Sequence, residues 1–362
     1  MTKVDIIIPI LNEEHYIVLC LKSVLAFEKA PETSVTVYVV DGGSTDRTRE
    51  LLSTMFTKHH NVRLLHNPGR IQSCAMNLAL RQCTGDFVMR LDAHSFYPPD
   101  YLNLCLDTAI RTKADNVGGV VVTRVGAENY QARLVQAMTT HYFGVGNSGF
   151  RLSAEEGPAD TVPFGFFKRS VFERVGYFDE RLVRNQDYEL NRRIAASGGR
   201  IWINPKILVY YHNQSSVWRF LKKQLIKEGP YNAYLWYLAP YARAVRHEIT
   251  GAFSVGVIGG IISLFFNHVL GIVFLSVMAV YMILACISSF QQALRYKCVL
   301  HVVMLPPVFF AFHFIHGWGV LIGFCSLALG IAPVQRVREP WPSYGSYRVC
   351  PEDTDASGCR LL

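Results

Sequence analysis

Hydrophobic positions in the first third of the chain follow two periods. Residues 4–10 (Val-Asp-Ile-Ile-Ile-Pro-Ile) form a nearly unbroken β-branched run, the pattern of a strand buried on both faces. Residues 14–27 then place Ile17, Leu21, Val24 and Leu25 at helical spacing. The alternation repeats. Strands are predicted at 36–40, 62–66, 87–91 and 117–123, and helices at 47–56, 74–81 and 101–113. A β-α-β-α order predicts a mostly parallel sheet with helices on both faces. Such sheets bind ligands beyond the carboxyl ends of their strands. Asp41 and Asp92 each close a predicted strand at that edge.

Between 160 and 211 the pattern is more mixed. An irregular stretch at Asp160–Gly165 leads to a short helix over 168–175, a turn at Gly176–Asp179, and a helix over 187–196 opened by Asn185-Gln186-Asp187. Strands are predicted at 200–203 and 207–211. Gly144-Val145-Gly146 is no dinucleotide fingerprint, since no strand precedes it; it predicts a flexible loop on the acceptor side.

From about residue 216 the periodicity changes again. Val217, Phe220, Leu221 and Leu225 oppose Arg219, Lys222 and Lys223, an amphipathic basic helix over about 216–227 suited to a membrane interface. Three stretches free of Asp, Glu, Lys and Arg follow, at about 249–266, 269–290 and 299–331. A span takes about 20 apolar residues. The first two predict a helical hairpin. The third, interrupted by Pro306-Pro307 and by His313–Gly319, predicts two short spans or a re-entrant pair. The expected organisation is an α/β domain at 1–235, a membrane domain at 236–335 and a tail at 336–362. Arg295, Lys297, Arg336 and Arg338 flank the apolar stretches, which places the α/β domain and the tail in the cytoplasm.

Composition agrees. Half of the 362 residues are hydrophobic and 18% are charged, too apolar for one soluble globule. The net charge of +8 gathers beside the apolar stretches, so anionic membrane lipid is the expected partner. No nucleic-acid-binding pattern is present. Nine cysteines show neither CxxC pairs nor zinc spacing, as in a reduced, cytosol-facing protein. The apolar run at Ile6–Ile8 is broken by Pro9 and by Asn12-Glu13-Glu14, so it reads as a strand and not as a signal peptide. A transporter would need intramembrane charge, which the spans lack.

Asp92 and His94 end the run Val-Met-Arg-Leu-Asp-Ala-His and point to the same side of an extended strand end. A carboxylate beside an imidazole suits a divalent cation, and the cation suits a diphosphate. A strand-end Asp capping a turn, with His94 as a polar neighbour, is the alternative. Asp41-Gly42-Gly43 is equally a good turn, and Ser44-Thr45-Asp46 reads as a helix N-cap.

Five segments together resemble the inverting family 2 glycosyltransferases of GT-A fold. They are residues 8–14, 40–46, 90–94, Asp160-Thr161-Val162 with Phe164-Gly165, and 185–191. The closer resemblance is to the membrane-anchored, succinoglycan-type glucosyltransferases of bacterial exopolysaccharide assembly, and it covers roughly residues 3–235. It implies an α/β, Rossmann-like GT-A domain followed by transmembrane helices at a cell inner membrane. Pro9, Leu11 and Glu13 would line the nucleoside site, and Asp41 would accept a hydrogen bond from uracil. Asp92 matches the first acid of the family's Asp-x-Asp motif, with His94 in place of the second, which puts the coordination of Mg2+ or Mn2+ in question. Arg70 is either a bidentate diphosphate donor or a surface arginine. Asp187 is the expected general base, its alternative being an N-cap; the family's Glu-Asp pair stands here as Gln186-Asp187. The Gln-x-x-Arg-Trp motif of processive synthases is absent. The resemblance therefore implies transfer of one hexose, glucose from UDP-glucose, to a polyprenyl-diphosphate-linked saccharide. Transfer to polyprenyl phosphate and a non-catalytic scaffold subunit are the other readings.

Overall fold

A computed structural model describes residues 1–56, 59–152 and 155–335. In chain order its elements are β1 (Thr2–Ile10), α1 (Ile17–Leu25), β2 (Thr33–Asp41), α2 (Thr48–Phe56), β3 (Val62–His66), α3 (Gln72–Leu80), β4 (Phe87–Arg90), β5 (Ser95–Phe96), α4 (Tyr101–Thr112) and β6 (Asn116–Arg124). There follow α5 (Tyr130–Thr139), α6 (Tyr142–Val145), β7 (Gly157–Pro158), β8 (Phe166–Lys168), α7 (Ser170–Val175), α8 (Gln186–Ala196) and β9 (Ile201–His212). The chain closes with α9 (Val217–Lys223), α10 (Gly229–Leu238), α11 (Val245–Phe266), α12 (His268–Arg295) and α13 (His301–Ala328). Two compact units emerge, one holding 1–122 and 155–211, the other 123–152 and 212–335.

The first unit is built on one sheet of order β3-β2-β1-β4-β8-β6-β9-β5, with β7 beside β9. Its β3-β2-β1-β4 half is parallel. Ile6, Ile7 and Ile8 of β1 are fully buried, as a strand covered on both faces requires. The sheet is mixed beyond β4, because β8 runs antiparallel to both β4 and β6. A long connection through α5, α6 and β7 returns the chain from β6 to β8 in the antiparallel sense. The strands predicted at 200–203 and 207–211 are one strand. Asn204 Oδ1 accepts from the Lys206 amide (2.9 Å) and carries the strand through Pro205. Gly119 is the point of closest approach in this half, since a Cβ there would collide with the Ile207 carbonyl.

In the second unit α5 packs Leu134, Ala137 and Met138 on Leu305 and Phe309 of α13. The C-terminal carbonyls of α5 find donors on α12. Gln292 Nε2 donates to Ala137 O, and Arg295 Nη1 donates to Thr140 O (3.0 Å), a cation at a helix C-terminus. Gly144 lies in the helix α6 and not in a flexible loop, and a Cβ there would collide with the Met138 carbonyl.

α11, α12 and α13 are each long and apolar enough to cross a membrane. Residues 301–328 form one continuous helix where two short spans or a re-entrant pair was expected. Pro306 and Pro307 sit in its second turn and cost only two backbone bonds there. His313 does not break it, since it pairs with the Tyr281 hydroxyl (2.8 Å). His316 is held between Gln224 (2.8 Å) and Asn232 (2.9 Å). α9 continues through a π-helical turn at Gln224–Glu228 into α10. Trp218, Arg219, Lys222, Ile226 and Lys227 are exposed along that continuous helix. The tail expected at 336–362, with Arg336, Arg338, Cys350 and Cys359, lies outside the described residues. The seven described cysteines are free thiols.

Candidate active site

The register of the sheet aligns the strand ends. Ile10 stands beside Asp41, Asp41 beside His66, and Ile7 beside Arg90, so the loops after β1, β2, β3 and β4 leave along one edge. The first two of these loops are laced together. Asn12 takes a left-handed turn (φ 57°). Its amide donates to Ser44 Oγ (2.9 Å), while its Oδ1 accepts from the Thr45 amide (2.8 Å). The Glu13 amide donates to Thr48 Oγ1 (2.9 Å). Asp46 accepts from the Thr48 amide (3.0 Å), the capping role expected of it.

Asp41 is 2% exposed and has internal donors on both oxygens. Oδ1 accepts from the Ser44 amide (2.9 Å) and hydroxyl (2.6 Å), and Oδ2 from Arg49 Nε (2.5 Å). Burial raises its pKa, but Ser44 and Arg49 outweigh burial and hold the carboxyl below its ordinary value. Pro9 is half-buried at the end of β1, and Leu11 is exposed in the loop beyond it. Arg70 is exposed at φ 58°, beyond β3.

The centre of this edge is Arg90, the last residue of β4 and 5% exposed. Its Nη2 donates to Asp92 Oδ1 (2.7 Å) and its Nη1 to Asp187 Oδ2 (2.6 Å). The guanidinium lies over the Phe164 ring (5.5 Å), and the Arg90 amide donates to Gly165 O (2.9 Å). The irregular 160–165 segment is thereby fixed against β4. Gln72 Nε2 also donates to Asp92 Oδ1 (3.2 Å), and Gln186 Nε2 donates to Gln72 Oε1 (2.7 Å). Among the described residues Asp92 Oδ2 and Asp187 Oδ1 accept no hydrogen bond. Asp187 stands in the first turn of α8, whose preceding residue Asn185 is left-handed (φ 65°) and makes no side-chain cap. Burial raises the Asp187 pKa; Arg90 lowers it, Asp92 raises it and Arg184 lowers it, leaving it above the ordinary carboxylate value.

His94 Nδ1 lies 3.4 Å from Glu13 Oε1, and its ring meets the edge of Tyr211 at 5.4 Å. The acid of the first loop and the imidazole of the fourth thus form one pair. The structure joins Asp92 to Asp187 and Glu13 to His94. It leaves Asp41 in a separate network with Ser44 and Arg49, and gives Arg70 no part in either.

Arg90, Gln72 and Gln186 were missed as site residues. The signal for Arg90 was present, since a lone cation inside Val-Met-Arg-Leu-Asp has to find buried partners. Gln72 carried no signal, because its partners are remote in sequence. As for a cation, no cluster of three His, Cys, Asp or Glu exists among the described residues. The spare oxygen of Asp92 fits a single protein ligand, with diphosphate oxygens and water completing the shell, as Mg2+ commonly accepts.

Residues 5–176 match the family model described as Glycosyl transferase family 2. The chain is 34% identical over 209 residues to the succinoglycan biosynthesis protein ExoA of Rhizobium meliloti, a match over 57% of this chain and 62% of that protein. It is 27% identical over 331 residues to a dolichyl N-acetyl-alpha-D-glucosaminyl phosphate 3-beta-D-2,3-diacetamido-2,3-dideoxy-beta-D-glucuronosyltransferase of Methanococcus voltae, covering 89% of this chain and 97% of that one. Among solved structures, the mannosyltransferase PcManGT of Pyrobaculum calidifontis, in complex with GDP-Man and Mn2+, superposes with TM-score 0.56 at 18% identity over 87% of each chain. That likeness establishes the GT-A fold. Residues 5–176 thus carry a match to glycosyl transferase family 2, and the chain is similar to these relatives over that region.

Proposed function

We propose that the protein transfers one hexose, glucose from UDP-glucose, with inversion, to a polyprenyl-diphosphate-linked saccharide. The observation that carries this is the pair of carboxylates gripped by Arg90, each with an oxygen to spare. Asp187 Oδ1 takes the proton of the attacking hydroxyl as that oxygen displaces the nucleoside diphosphate. A single displacement inverts the anomeric carbon. Asp92, at the other arm, faces the diphosphate, and His94 stands beside it with Glu13. A Mg2+ or Mn2+ ion on Asp92 would neutralise charge on the leaving diphosphate. Pro9, Leu11, Glu13 and Asp41 line the nucleoside side, and Arg70 is within the loop set that would meet phosphate.

Three helices of crossing length and the basic helix at 217–223 support a lipid-borne acceptor. The Methanococcus voltae relative, whose name specifies a dolichyl-phosphate sugar, supports an acceptor already carrying a sugar. Confinement to one surface raises the effective concentration of enzyme and acceptor. The proposed site is the cytoplasmic face of the inner membrane. Three crossings, an odd number, then carry the chain after Gln335 to the opposite face, against the charge of Arg336 and Arg338. A reporter fused after residue 335 checks this; cytoplasmic signal would mean that one helix does not cross.

The test of function is transfer of label from UDP-[14C]glucose, with Mn2+, into organic-extractable lipid by membranes holding the full chain. Label in a sugar-bearing lipid is expected. Label only in a monophosphate lipid lacking other sugar would move the acceptor to polyprenyl phosphate, and equal transfer by D187N would remove the base.

A further inference from the structure

The two carboxylates are held by a closed ring. Asp187 binds Arg90, Arg90 binds Asp92, Asp92 accepts from Gln72, Gln72 accepts from Gln186, and Gln186 is peptide-bonded to Asp187. The ring has a direction. Gln186 uses an amide N–H toward Gln72 Oε1, and Gln72 uses its own N–H toward Asp92. An ionised carboxylate can only accept. Glutamate at 186 would therefore leave Gln72 between two acceptors. Whichever way its amide turned, its oxygen would face a carboxylate.

We propose that Arg90, Gln72 and Gln186 are positioning residues that fix the distance between the base and the carboxylate on the phosphate side, and that this ring requires a neutral donor at 186. The inference rests on the reading of Asp187 as base. It gives a chemical reason for the glutamine that stands here where family members carry glutamate. Arg90 is suited to its place for a second reason. A planar fork reaches two carboxylates at once, whereas an ammonium is a point donor without that fixed spread. Its aromatic floor, Phe164, holds the plane of the fork.

The experiment uses the full-length protein in detergent, with UDP-glucose and Mn2+, and reads kcat and KM separately. A misplacement on the order of 1 Å costs about 100-fold in rate. R90K is expected to lose about 10- to 100-fold in kcat, with KM for UDP-glucose within about threefold of wild type. Q186E is expected to lose about tenfold in kcat. Q72K/Q186E is expected to recover most of that loss, because a lysine at 72 donates to both neighbours. Melting temperatures are measured on every variant, and the Q186E and Q72K/Q186E pair carries the test if R90K does not fold. The proposal is overturned by wild-type kcat in Q186E, or by a Q72K/Q186E protein no faster than Q186E. It is also overturned by losses that fall on KM and kcat alike, as a merely structural role would give. A D187N protein with wild-type turnover, or a wild type without turnover, sinks the parent reading and this one with it. An inactive D187N beside an unaffected Q186E sinks this one alone.

Discussion

Polar side chains are buried in both units, but they are used differently. In the helical unit several are matched in pairs. Tyr281 meets His313, His316 is held by Gln224 and Asn232, and Ser254 Oγ donates to Phe314 O (2.8 Å). Along the sheet edge, Arg90 engages Asp92 and Asp187 and, among the described residues, leaves one oxygen of each unused. Unpaired polar groups in an apolar setting cost free energy, which favours such pairs between helices. An edge that receives a substrate keeps capacity in reserve. Spare valence on two carboxylates held by one arginine marks this edge as the candidate site.

The hardest blow to this comparison is D187N. General-base catalysis contributes about 10^2 to 10^4 in rate, so kcat should fall about 1,000-fold while UDP binding by calorimetry stays near wild type. A fall in binding with kcat intact would make the residue structural. On the other side of the comparison stands G317L. A Cβ at 317 would collide with the Thr250 carbonyl, so α11 and α13 should separate at a cost of about 1–3 kcal/mol, read in detergent unfolding. Unchanged stability would mean that the bundle is not close-packed there. A pH profile sharpens the site. Asp187 works as a base only when ionised, and its pKa is raised, chiefly by burial. Activity should therefore fall as pH drops through a value above that of an ordinary aspartate, by about tenfold per unit below it. An acid limb at the ordinary value would deny the shift. The smallest effect is expected of Y281F, which removes one matched pair. Hydrogen bonds between membrane helices average about 0.6 kcal/mol, so stability should drop slightly and kcat should not change.

Hydrophobic period was enough to mark the β-α alternation, the acids at strand ends and the apolar stretches, because each depends on neighbours within one turn or one strand. It also supplied Asp187 in the first turn of a helix. The antiparallel half of the sheet, the unbroken helix at 301–328 and the packing of α5 on α13 were not legible, since each depends on residues brought together from far along the chain. Arg90 was written in plain sight inside an apolar run, yet its two partners stand 2 and 97 positions away. The chain's local order therefore specified which residue types reach the sheet edge. Only the closed tertiary structure decided which oxygens stay unpaired, because that depends on distances of a few ångströms between segments that no local pattern relates.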